Sequence, residues 1–195
     1  MLSSPPSQVI PEYQSALQTA VQEKLSLVLY LKQQVTDINH ESLTELRAQQ
    51  RPPQVTEDLL AAVISIVKSP SADMSWTKGA KRLMANVERF RELLLGRSTM
   101  EDDSETIIES VNPILNRVGL SVDELGHHPG GLAATQLLGW VQGVVRLHSI
   151  LQSRVRPLNL RLEGMSASLR ECEEKLRLQE GKMQVRRTTY MYLYT

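Results

Sequence analysis

One cysteine stands in 195 residues, Cys172, so the chain cannot close an internal disulfide and is not a secreted disulfide scaffold. Aromatic residues make up 4%, which leaves Trp76 and Trp140 as the two large ring anchors for any core. Charge of one sign is not in excess. The 22 basic and 22 acidic side chains cancel, and a general nucleic-acid binder would carry a basic surplus. No run of about 18 apolar residues occurs, so no membrane span is predicted. Met1 to Pro11 lacks the charged-then-apolar order of a signal peptide.

Chemistry is equally sparse. No G-x-x-x-x-G-K-[ST] loop is present, and Gly96-Arg-Ser-Thr99 lacks both the earlier glycine and the lysine that would cradle a phosphate. His127-His128 has no cysteine or second pair at ligand spacing, so it reads as a polar turn. Glu101-Asp102-Asp103 with Glu105 lacks the spacing and glycine of a calcium loop. No Ser/His/Asp or Cys/His grouping suggests a nucleophile. The expectation is a chain with no catalytic residue, metal or cofactor of its own. Its 41% apolar content still suffices for one or two small domains, and a cytosolic, helix-rich protein is the starting expectation.

What is there is helical periodicity. Residues 1–11, with three prolines and three serines, read as an irregular end. Glu12 to Arg51 has neither glycine nor proline and reads as one long helix. Its stripe at 17, 21, 24, 28, 31, 35 and 38 alternates steps of four and three, broken only by Lys24, as a coiled coil requires. Extra apolar residues in Leu25–Leu31 permit a shifted register. Pro52 and Pro53 then interrupt it, because proline lacks an N–H and restricts the residue before it.

Short helices follow. Val55–Val67 is apolar, and Ser75 is placed to cap a helix opening at Trp76. Val87–Leu94 carries another short apolar face, and Gly96–Asp103 reads as a polar loop. Ser104–Val118 should be bent or divided by Pro113, and Ser121–Glu124 resembles a capping box. Pro129-Gly130-Gly131 marks a turn. A second long helix starts near Leu132. After Pro157 the heptads resume as Leu158, Leu162, Met165, Leu169, Cys172, Leu176 and Met183, with Cys172 expected to pack as a small apolar residue. The Tyr-rich end, Gln184–Thr195, reads as irregular and strand-like.

The predicted fold is therefore all-α, an antiparallel coiled-coil hairpin carrying a small helical bundle. Its parts are an irregular 1–11, a first coil over 12–51, a compact unit over 52–156, a return coil over 157–183 and a tail over 184–195. Val35 is expected opposite Met165 or Leu169.

Three strings occur in a telling order. Leu43-Thr-Glu-Leu-Arg47 precedes Arg51-Pro-Pro53. Trp76-Thr-Lys-Gly-Ala-Lys-Arg-Leu-Met84 follows. Leu132-Ala-Ala runs through Trp140-Val to Val155-Arg-Pro157. Together they resemble the stalk of a dynein heavy chain with its microtubule-binding tip, over roughly Leu43 to Leu162. The resemblance implies a stalk fragment, a short isoform or an incomplete, divergent relative, since no ATPase module accompanies it. It also implies a tubulin partner, other dynein-complex subunits, and a cytoplasmic, cytoskeletal or axonemal setting. In dyneins, sliding one stalk helix against the other changes the affinity of the tip. The resemblance places Pro52, Pro53 and Pro157 at the junction of stalk and tip.

Tubulin is acidic, so docking calls for basic residues. The basic stretch of the compact unit holds the tubulin-binding candidates Lys78, Lys81, Arg82, Arg89, Arg91 and Arg97, interleaved with Glu88 and Glu92. Glu57 and Pro129-Gly130 stand where the resemblance would put basic residues. From Gln54 to Arg156 there are 11 Lys/Arg against 12 Asp/Glu. A neutral tip predicts weak or lost microtubule binding. The alternative function is a structural coiled-coil scaffold, or a truncated isoform that has lost tubulin binding.

Overall fold

The computed structural model describes residues 6–69, 71–98, 105–119 and 122–193. The helices are α1 (Pro6–Thr36), α2 (His40–Ala48), α3 (Gln54–Val67), α4 (Lys81–Leu83), α5 (Val87–Ser98), α6 (Glu105–Gly119), α7 (Val122–Gly126), α8 (Gly131–Ile150) and α9 (Arg156–Leu193). Wide π-helical turns at Trp76–Ala80 and Leu151–Val155 precede α4 and α9. Among the described residues there is no strand, and the fold is all-α.

Several boundaries differ from expectation. Helix α1 begins at Pro6, inside the segment read as irregular. A proline at the first helical position loses no bond, because that N–H has no intrahelical acceptor. Pro11 removes one bond from an early turn and is tolerated there. The long Glu12–Arg51 helix is divided without any glycine or proline. Asn39 leaves helical geometry (φ −70°, ψ 125°), and its side chain accepts from Ser42 N at 2.9 Å to cap α2. Gln136 of α8 bridges the break, donating to Asp37 O at 2.7 Å and accepting from Asn39 N at 3.4 Å. Pro113 does not divide α6. The Tyr-rich end is helical to Leu193, so strand propensity yields to context there. Pro157 does not stop its helix either. Its ring would crowd the carbonyl four residues back, and the wide Leu151–Val155 turn lies there. Of the loop and cap expected at Gly96–Asp103 and Ser121–Glu124, residues 99–104 and Ser121 lie outside the described residues.

The chain divides into two compact units. The larger, Val21–Gln152, starts earlier than the compact unit read from sequence, because Leu31, Val35, Ile38, Leu43 and Leu46 enter the same core as α3 and α8. Helix α3 is central. Leu59, Leu60, Ala62, Val63, Ile64 and Ile66 are all buried, so it has apolar contacts on nearly every side. It packs most extensively on α6, and also meets the Trp76–Ala80 turn, α8, α5 and α7. Trp140 is 0% exposed and donates Nε1–H to Ser98 Oγ at 2.9 Å, so its one polar atom is satisfied inside the core.

Within this unit α1 and α8 run antiparallel. Asp37 meets Gln136, Gln34 meets Gly139, Leu31 meets Gly143, and Arg146 bonds Glu23 at 3.5 Å. A Cβ at Gly143 would stand 2.5 Å from Leu31 Cδ2, so the glycine sets how closely the helices approach. Val35 is therefore level with Gln136–Gly139, not with Met165 or Leu169. Within the larger unit the helix opposite α1 is α8.

In the smaller unit, Arg161 of α9 donates to the Tyr13 hydroxyl at 3.0 Å and lies 5.6 Å from the ring centroid. Ile10 and Tyr13 line a groove with Leu160, Met165, Leu169 and Cys172. Cys172 is exposed, contrary to its expected place in a packed seam.

Replacing Gly143 with valine should force α1 from α8 and cost about 1–3 kcal/mol, an overpacking penalty. Gly164→Ala, where a Cβ meets open space in α9, should add about 0.5–1 kcal/mol through helix propensity. Urea midpoints check both. An unchanged midpoint for Gly143→Val would show that the close approach is not constrained.

Candidate functional site

The basic segment is positioned from its first residue. Ser75 leaves helical geometry and its Oγ accepts from Lys78 N at 3.4 Å. Its carbonyl accepts from Gly79 N at 2.8 Å and Ala80 N at 3.0 Å, which widens the turn. Trp76 is buried and donates Nε1–H to Gln49 O at 3.0 Å, fastening the turn to the end of α2. Gly79 lies directly beneath the Asp73 carbonyl, and any Cβ there would collide with it. Asp73 is thereby set beside the turn, with Oδ1 accepting from Ser75 N at 2.9 Å. Hydrogen bonds from Ser75 hold its carboxyl below the usual carboxylate range, with smaller help from the charges of Lys78 and Arg82.

The six predicted cations separate into two kinds. Lys78 and Arg82 are exposed. Lys81 is half-buried with Nζ 5.7 Å from the Trp76 ring centroid. Arg89 is exposed and pairs with Glu92 at 3.1 Å. Arg91 and Arg97 instead serve the fold. Arg91 is 25% exposed, donates Nη2–H to the Ile38 carbonyl beyond the end of α1, and meets Glu88 at 3.3 Å through Nη1. Arg97 donates from Nε and Nη2 to Val67 O at the end of α3, both at 3.4 Å. Helix C-terminal carbonyls have no intrahelical donor and carry partial negative charge, so a guanidinium is a fitting cap.

Arg47 makes a third such cap and was not singled out from sequence. Its Nη1–H reaches Met84 O at 3.4 Å and Ala85 O at 2.8 Å at the end of α4. Its acceptors lie 37 and 38 residues on, so no local spacing announces them.

The opposite corner explains a missing basic residue. Gly130 has φ 77°, and a Cβ there would collide with the backbone of Leu46. No Arg or Lys fits. The start of α8 is capped from α2 instead, with Ser42 Oγ accepting from Ala133 N at 3.0 Å and Glu45 Oε2 from Gly130 N at 3.2 Å. Gln49 Nε2 donates to the Pro129 carbonyl. Glu57 is half-buried in the first turn of α3. Pro53 caps α3 through its carbonyl, which accepts from Thr56 N at 3.0 Å. Pro52 and Pro53 lie in the larger unit, and Pro157 lies in the smaller.

These side chains can attract an acidic surface. They assemble no nucleophile with a base. The family model for the microtubule-binding stalk of dynein motors matches residues 8–188. The chain belongs to the dynein stalk family. It is 27% identical over 176 residues to cytoplasmic dynein 2 heavy chain 1 of Rattus norvegicus, covering 86% of this chain and 4% of that one. It is 26% identical over 169 residues to dynein axonemal heavy chain 17 of Homo sapiens, covering 85% and 4%. Against the dynein alpha chain of the flagellar outer arm of Chlamydomonas reinhardtii it is 24% identical over 135 residues, covering 68% and 3%. This stalk chain thus spans a small part of its curated relatives. Among its described residues no helix is long and apolar enough to cross a membrane.

Arg91→Ala should destabilise the dynein stalk chain by about 1–3 kcal/mol, since it leaves a carbonyl without its charged donor. Lys78→Ala and Arg82→Ala should stay within about 0.5 kcal/mol of the parent. Thermal or urea unfolding separates the two kinds, and equal losses at all three positions would refute the division. In an NMR titration, Ser75→Ala should raise the Asp73 carboxyl more than Lys78→Ala does, because the Ser75 bonds are the larger cause.

Proposed function

We propose that this dynein stalk chain is a non-catalytic module that docks weakly on microtubules through Lys78, Arg82 and Arg89, with Lys81 beside them. The observation that carries the reading is the exposure of Lys78 and Arg82, with Arg89, on a segment where Arg91 and Arg97 are tied to backbone carbonyls. Long side chains in water reach an acidic partner and gain from its field, and salt screens that gain over roughly 10 Å at 0.1 M. Affinity is low because few cations are available and Asp73 stands beside two of them. Pro52 and Pro53, with Pro157, mark the junction between stalk and tip in this reading. Its setting is cytoskeletal, cytoplasmic or axonemal, with other dynein-complex subunits as further partners. In this reading the module carries no nucleotide chemistry of its own, and a full-length relative would be the ATPase motor.

A second reading is favoured by charge. The stretch Gln54–Arg156, with 11 Lys/Arg against 12 Asp/Glu, is no more basic than its surroundings, as suits a structural coiled-coil module that does not bind tubulin.

Cosedimentation with polymerised tubulin decides between them. The folded chain should pellet at low salt, less so as ionic strength rises, and Lys78→Glu/Arg82→Glu should abolish pelleting while leaving the unfolding midpoint unchanged. No pelleting by folded protein at low salt would overturn the docking reading in favour of the structural one.

A further inference from the structure

Residues 68–75 join α3 to the Trp76–Ala80 turn. The serines of the larger unit mostly serve its fold. Ser42 caps α8, Ser75 caps the Trp76 turn, and Ser98 holds the Trp140 ring nitrogen. Among the described residues Ser69 has no such duty. Its Oγ lies 2.9 Å from Ser71 Oγ and accepts from Ser71 N at 3.2 Å. Its carbonyl accepts from Ala72 N at 3.0 Å. These bonds close one tight turn between exposed Lys68 and exposed Ser71. A surface turn held by its own hydroxyls opens locally without disturbing the core.

Proline follows Ser69. It lacks an N–H and disfavours helical geometry in the residue before it, so a Ser-Pro pair reads as an extended or turn dipeptide. That is the form in which a hydroxyl enters a kinase cleft, and proline-directed kinases select the ring that follows. The sequence holds another such pair, Ser4-Pro5, outside the described residues.

The far end of the loop links this hydroxyl to the basic segment. The Asp73 carbonyl lies against Gly79, and Asp73 Oδ1 accepts from Ser75 N at 2.9 Å. The loop is thereby fastened to the turn that presents Lys78 and Arg82. From Lys68 to Arg82 the cations are Lys68, Lys78, Lys81 and Arg82, against the single carboxylate of Asp73. A phosphate carries about −1.5 to −2 charges at pH 7, so it removes half or more of that excess.

We propose that Ser69 is a phosphorylation site for a proline-directed protein kinase, and that its phosphate weakens docking of the basic segment on an acidic surface. The second half rests on the docking reading above. In the transfer, Ser69 Oγ bonds to the γ-phosphorus of ATP, and the bond from that phosphorus to the bridging oxygen breaks. ADP leaves, and the hydroxyl proton passes to the catalytic carboxylate of the kinase.

The full chain carrying Ser4→Ala, incubated with a purified proline-directed kinase and ATP, tests the site. Mass spectrometry should find phosphate on Ser69, and Ser69→Ala should abolish it. No phosphate on Ser69 of the folded chain, while the kinase labels a standard Ser-Pro peptide, would overturn the site. The phosphorylated chain should then pellet with microtubules several-fold less at low salt. Elution from immobilised poly-glutamate reads the same cations without tubulin. There Ser69→Asp should move elution to lower salt further than Ser4→Asp, which places the same charge at the end of the chain. Equal shifts for the two, or unchanged pelleting after full phosphorylation, would overturn the regulatory half. An unmodified chain that never pellets would sink the docking reading, and the poly-glutamate comparison would still decide this one.

Discussion

Helix α3 has almost no side left for water, and that constraint organises the compact part of this chain. Leu59, Leu60, Ala62, Val63, Ile64 and Ile66 point in every direction around one helix. A helix apolar all round must be enclosed, and α6, α8, α5, α7 and the Trp76–Ala80 turn enclose it. The basic segment is one wall of that enclosure, so its outward face is fixed by what its inward face must cover. Leu83, Phe90 and Leu94 are buried, which leaves Lys78, Arg82 and Arg89 outside.

The same constraint limits how basic the surface can be. Three arginines of the larger unit, Arg47, Arg91 and Arg97, have their guanidinium groups on backbone carbonyls near helix ends. Counting charge along a sequence treats all cations alike. The structure removes some from the count by giving them backbone acceptors, and a guanidinium suits this role because it is planar and permanently charged.

Much of the fold was legible because it rests on period and punctuation. The stripes of α1, α3 and α6, the cap at Ser75 and the turn at Pro129-Gly130-Gly131 all followed from spacing. The break between α1 and α2 was not legible. It contains no glycine or proline, and it is held by Gln136 from a helix about a hundred residues away in sequence. The helical tail was misread because Thr and Tyr favour strands only where a sheet exists to receive them. At the candidate site, residue type identified the basic segment, but not which of its members were free. Arg91 and Arg89 look equivalent in sequence, and only the distance to Ile38 separates them.

The corner where α2 meets α8 has a consequence for how the protein opens. The first amides of α8 are satisfied by Ser42 and Glu45, side chains of a different helix. Their hydrogens are therefore released to solvent by any fluctuation that lifts α2, even while α8 itself stays wound. The exchange rate of the Ala133 amide is a gauge of α2, and the two helix ends form one cooperative unit although about 85 residues separate them in the chain.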